Sequence, residues 1–231
     1  LYKTYYCPLC FIFLFPFSSY SEEGPIALPN EESAKFERIS VIYNGRVAPL
    51  QTVMDDFILK LYGATSYNGH TSSQLFTGLM FYPDSWREEK IIKITDKSIR
   101  SILSVDGKYA SINDLFDIDG KSKFDNLDYD KIENDPKLLR EINEMDEKLY
   151  LACMVMEGER LSSSKEIFGK DSIQFINWIS EVKSSIKREN YSRLDSLVTD
   201  IKSYQTTIAG KSLPTSSRVE SELLYNKMRN H

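Results

Sequence analysis

Histidine is nearly missing from this chain: His70 and His231 are the only two in 231 residues. Haem iron, zinc and most acid–base chemistry lean on imidazole, so a multi-histidine metal centre is excluded. Cysteine is almost as scarce, with three residues. Cys7 and Cys10 have the spacing of a CxxC pair, but Phe11 follows them, so the His of a covalent haem attachment sequence is lacking. Cys153 stands alone in an apolar helical stripe, where a small buried hydrophobe is expected. Neither a Walker loop nor a dinucleotide GxGxxG is present. No nucleophile motif surrounds Ser111 or Cys153 that would build a triad with His70. Charge of one sign is not concentrated either, since 29 Lys and Arg are interspersed with 34 Asp and Glu. That balance excludes the basic footprint of a nucleic-acid binder. The chain reads as non-catalytic, with no cofactor-binding or metal-binding residues of its own.

What is present is an aromatic-rich, foldable chain with 14 Tyr and 12 Phe. Residues 1–21 combine Lys3, a short apolar run from Leu9 to Phe17 and small residues at Ser19–Ser21, the layout of a signal-like export segment. Residues 22–38 read as a linker. From 39 to 126 a mixed α/β half is expected. Asn44-Gly45 lies between β-formers and predicts a hairpin with a type I′ turn. Pro49 can open a helix that Gly63 stops, and Thr71 or Ser72 caps a short helix carrying Leu75, Leu79 and Met80. Ile91–Ile94 predicts a strand, and about Asp96 to Leu103 a helix. Asp117 to Asp130 is read as a solvated excursion, because its acidic spacing does not match a calcium loop.

Residues 127–231 read as a helical half. Leu138, Ile142, Met145, Leu149, Ala152 and Met156 recur at three- and four-residue steps. So do Phe175, Ile179, Val182 and Ile186, and then Leu194, Leu197, Ile201, Tyr204 and Ile208. Three antiparallel helices follow. Ser217-Arg218-Val219-Glu220 has capping-box form and opens a last helix with Val219, Leu223, Leu224 and Met228 as its apolar face. The fold class is therefore α+β, mainly α, with an N-terminal hairpin and short helices followed by an antiparallel helical unit.

Five phrases in fixed order carry a resemblance across roughly Glu31 to Lys227. They are Tyr43–Thr52; Ser66–Gly69; Gln74–Phe81 with Trp86; Gly107–Ser111 leading to Asp114–Asp117; and Ala209–Pro214 followed by Leu224–Lys227. Read together, they resemble the extracytoplasmic region of the Bacteroidetes-type fused ResB/CcsA (CcsBA-type) cytochrome c biogenesis protein. The resemblance implies a periplasmic domain of a membrane protein for haem delivery and attachment, acting as a docking or scaffold domain. It implies that haem is handled by the family's membrane part, whose tryptophan-rich motif and histidines are not in this segment. The partners it implies are that membrane part and apocytochrome c, with the last helix leading toward a membrane span. One departure falls at Ser162–Gly169, where the family commonly has an apolar phrase. A free-standing secreted binding module with no haem role is the alternative. Arg46, Lys108 and Tyr109 follow glycine turns, where recognition residues often project, and are the docking candidates.

Overall fold

The computed structural model describes residues 24–132, 134–156, 177, 180–184 and 191–229. The architecture is mainly helical α+β, as the sequence predicts. Among the described residues its strands are short and pair in twos, antiparallel. Strand β1 (Ser40–Tyr43) pairs with β2 (Arg46–Pro49) around Asn44 and Gly45. Both turn residues have positive φ, 51° and 73°, the condition a type I′ turn imposes and Asn-Gly tolerates. Strands β3 (Ser66–Tyr67) and β4 (His70–Thr71) form a second hairpin on Asn68-Gly69, and β5 (Ile92–Lys93) pairs with β6 (Tyr109–Ala110).

Short helices fill the intervals. Helix α1 (Asn30–Ala34) precedes β1, and α2 (Leu50–Tyr62) runs directly out of β2, with Pro49 as its N-cap. Gly63 ends α2 at φ 87°, in the left-handed region that a C′ glycine adopts at little cost. Helix α3 (Ser72–Phe81) begins with a complete capping box: Gln74 N–H donates to the Thr71 hydroxyl and the Gln74 side chain accepts from Thr71 N–H. Helix α4 (Pro83–Trp86) follows at once, and α5 (Lys97–Leu103) is capped by Asp96, which accepts from Ser98 and Ile99 N–H.

Trp86 is fully buried across α3. A Cβ on Gly78 would stand 2.3 Å from its Nε1, so the indole reaches the helix backbone only because position 78 has no side chain. Its N–H donates to Ile26 C=O at 2.8 Å. That bond ties down residues 24–29, and within the stretch read as linker Leu28, Ser33 and Phe36 are buried.

Helix α6 (Tyr129–Ile132) leads to the long helix α7 (Pro136–Met156). On α7 the expected stripe holds: Ile142, Met145, Leu149, Ala152 and Met156 are buried and Leu138 packs against the core. Helix α8 (Leu194–Ala209) buries Leu194, Leu197 and Ile201, while Ile208 is exposed. Of the stripe expected between them, Val182 is buried, and Phe175, Ile179 and Ile186 lie outside the described residues, as does Ser162–Gly169. Helix α9 (Ser216–Arg229) ends the described chain. One contiguous cluster of buried apolar residues runs from Leu28 and Phe36 through α2, α3 and α7 to Ile201, so both halves share a core.

Three expectations are corrected. Asp117–Asp130 is not wholly solvated: Phe124 is buried and Phe116 bridges to Ser122, because two apolar residues suffice to pin a loop whose backbone is held by Asp117. The last helix is capped one residue pair earlier, by Thr215, whose hydroxyl accepts from Arg218 N–H. Its apolar face is also different, since only Leu223 of the four named residues is buried and Leu224 and Met228 point to solvent.

Candidate functional site

The three docking candidates are placed by two antiparallel strand pairs at opposite ends of α2. Arg46 opens β2 just before the first turn of α2. Tyr109, in β6, lays its ring against Tyr62, the last residue of α2, with centroids 4.9 Å apart and planes tilted 35°. Twelve helical steps separate these ends, about 18 Å at 1.5 Å per residue. Arg46 and the Lys108–Tyr109 pair therefore belong to two surfaces.

The Arg46 surface is a clamp onto α9. Its guanidinium donates bidentately to Glu222, Nη2 to Oε1 at 2.7 Å and Nη1 to Oε2 at 3.1 Å. The same Oε1 accepts from the Thr52 hydroxyl at 3.0 Å. Arg38 repeats the geometry on Glu220, at 2.7 and 3.3 Å, and Arg229 donates to Asp56 at 3.2 Å. Between these charged pairs Asn226, itself buried, donates to Thr52 at 3.0 Å, and Leu223 fills the gap below. The Arg46 hydrogen bonds hold the Glu222 carboxyl below the usual carboxylate range, and reciprocally Glu222 pushes the Arg46 guanidinium up. Arg38 does the same to Glu220. Lys202, on α8, is pulled down by burial and then by the nearby Arg38 charge. The arginine that follows the Asn-Gly turn thus holds the chain's own last helix.

The second surface is built around a row of rings. Tyr109 meets Tyr62; Tyr62 meets Tyr67 edge-on at 5.1 Å; Tyr67 approaches Trp86 at 6.2 Å; and His70 sets its ring against Trp86 at 5.6 Å and 68°. Edge and tilted contacts of this kind suit the ring quadrupoles. The Tyr67 hydroxyl donates to Glu89 Oε2 at 2.5 Å, and burial followed by that bond pushes its phenol well above the ordinary value. His70 is half-buried, its ring set against Trp86 by β4, which follows Gly69. Lys108 projects beyond the end of this row. Its side chain is exposed, while its backbone is fixed by Ile94 N–H donating to Lys108 C=O at 2.8 Å. Arg100 Nη1 donates to Gly107 C=O at 3.1 Å, which holds the turn from the other side.

The sequence pattern did not signal the ring row or the clamp, because the rings come from turns and helices up to 47 positions apart and the clamp joins residues 170 to 182 positions apart. A hint of the clamp lay in the polar face of the last helix, where Glu222, Asn226 and Arg229 recur at helical spacing. Cys153 is partly buried and packs against the core. Among the described residues, no group of three or more His, Cys, Asp and Glu is arranged to hold a metal ion. Among the same residues no helix is long and apolar enough to cross a membrane.

The folded chain thus defines a mainly helical α+β domain in which Lys108 is exposed on its turn and Arg46 is paired with Glu222. No family model matches it. It is 24% identical over 212 residues to Protein NrfI of Wolinella succinogenes, covering 80% of this chain and 23% of that protein. The chain therefore spans less than a quarter of the length of that curated relative.

Proposed function

We propose that this chain serves cytochrome c biogenesis, as a non-catalytic extracytoplasmic docking or scaffold domain of a membrane protein of the fused ResB/CcsA type. The observation that supports it is the likeness to Protein NrfI, a cytochrome c nitrite reductase biogenesis protein, along 80% of the chain. The ordered phrases from Tyr43 to Lys227 point the same way. In this reading haem is carried by the membrane part of the same polypeptide, and the domain offers apocytochrome c a surface beside it. The one described imidazole, His70, lies with its ring against Trp86 and has no part in the proposed docking. No haem step is routed through these residues.

Lys108 and Tyr109 are the contact residues of this proposal, held at the rim of the ring row on a turn that Arg100 and Ile94 fix. Arg46 acts through the α9 clamp instead. The test is Lys108→Glu in the full-length protein, with holocytochrome c yield measured against the protein's abundance. A lower yield at normal abundance is expected, because charge reversal at an exposed contact weakens association without touching the core. Unchanged yield in Lys108→Glu and in Tyr109→Ala would overturn docking at this surface. Membrane spans with a tryptophan-rich motif in the gene downstream of His231 are also expected, and a free-standing module would lack them.

A further inference from the structure

Helix α9 uses one face to hold the domain and leaves a second, differently built face open. The inward face is Leu223 and Asn226, with Val219 and Glu222 at its edge. Opposite lie Ser217, Ser221, Leu224 and Met228, all exposed, with Leu224 59% and Met228 64% accessible. Their spacing of four, three and four residues is that of a coiled-coil seam. The seam is graded, with two small residues in the first half of the helix and two large ones in the second.

We propose that this face pairs with the same face of a second copy of the chain, antiparallel about a two-fold axis near the middle of α9. In that orientation Leu224 of each copy lies over Ser221 of the other, and Met228 over Ser217, so every layer sets a large side chain against a small one. A parallel pairing would put serine on serine and leave voids. The Ser221 hydroxyl donates to Ser217 C=O at 2.9 Å within its own helix, so it enters the seam already satisfied, at little desolvation cost.

The flanks agree with the seam. Glu220 and Lys227 occupy one side and Arg218 and Tyr225 the other, and all four are exposed. A two-fold axis sets each flank against itself reversed. Glu220 then meets the second copy's Lys227 and Lys227 meets its Glu220, two equivalent ion pairs. On the other side each Arg218 meets a Tyr225 ring, a cation–π geometry. A face unrelated to self-pairing has no reason to be complementary in size and in charge under one symmetry operation. One short helix covers less than the roughly 800 Å² per partner of a standard interface, so the dimer is concentration-dependent.

The proposal goes beyond the proposed function and does not rest on it. The test mixes two full-length chains, Ser217→Cys and Met228→Cys, each with Cys7, Cys10 and Cys153 replaced by Ser, under mild oxidation. A mixed disulfide dimer forming well ahead of either homodimer is expected. Homodimers in preference, or no cross-link at any concentration, would overturn the proposal, including the case in which α9 instead binds anionic phospholipid vesicles. In sedimentation, Lys227→Glu leaves the Arg38–Glu220 pair intact yet sets two carboxylates together at both ends, and raises the dimer dissociation constant about tenfold. Lys227→Gln, which removes the attraction without adding repulsion and also leaves the Arg38–Glu220 pair intact, raises it by less. A dimer indifferent to both changes would also sink the idea.

Discussion

At the scale of single residues, Gly78 has the sharpest role. A helix interior ordinarily disfavours glycine against alanine by about 1 kcal/mol, yet here a Cβ would meet the Trp86 indole at 2.3 to 2.9 Å. Trp86 cannot swing away without losing its bond to Ile26 C=O. The clash outweighs the propensity gain, and Gly78→Ala should destabilise the domain by about 1–3 kcal/mol, the usual cost of overpacking. Urea unfolding followed by tryptophan emission checks this; an unchanged or raised midpoint would show that the indole can be moved freely. Sequence reasoning placed Gly78 and Trp86 in one phrase but had no means of knowing that they touch, since the helix turn that brings them together runs through Pro83.

Among the elements, α9 is the one whose attachment depends on ionisation. The Glu222 carboxyl is held below its usual range by Arg46. Its folded-state value is therefore lower than in the unfolded chain, where about 4.3 applies. Its contribution is present above that unfolded value and is lost as pH falls through the folded one. Protection of α9 amides against hydrogen exchange should fall between about pH 5 and pH 3. Glu222→Gln should lower protection at pH 7 by up to about fivefold, the size of an ion pair of about 1 kcal/mol or less. The variant should also lose that part of the acid-range fall, while the Glu220–Arg38 and Asp56–Arg229 pairs keep a remainder. Exchange measured by mass spectrometry at both pH values decides it, and identical pH profiles would remove Arg46–Glu222 from the clamp.

For the whole molecule, the cooperative unit extends from Leu28 to the helices of the second half, because their buried residues form one cluster. Ile201, 6% exposed on α8, sits at its far edge. Ile201→Asp places an unpaired charge there at several kcal/mol, a large part of a domain stability of about 5–15 kcal/mol. A broad or absent thermal transition is expected. A sharp melt close to that of the parent chain would show that α8 lies outside the cooperative core. Taken with Lys108→Glu and the α9 cross-links, this separates loss of folding from loss of docking.

The sequence by itself determined the parts that depend on neighbours along the chain. Asn44-Gly45 specified its hairpin through positive φ, Thr71 and Gln74 their capping box, Gly63 its helix stop, and the three- and four-residue stripes the inward faces of α7 and α8. Position in the family resemblance likewise came from local phrases. Tertiary structure alone decided which of the turn-borne residues remain open to a partner. Arg46 and Lys108 follow equivalent glycine turns, yet one meets a carboxylate 176 positions away on α9 and the other remains exposed. It also decided which apolar face of α9 is buried. Leu223 and Leu224 are adjacent and chemically identical, and the roughly 100° of helical rotation between them is enough for one to be buried and the other exposed. Only docking of the polar residues Glu222, Asn226 and Arg229 onto α2 and β2 selects which side faces inward.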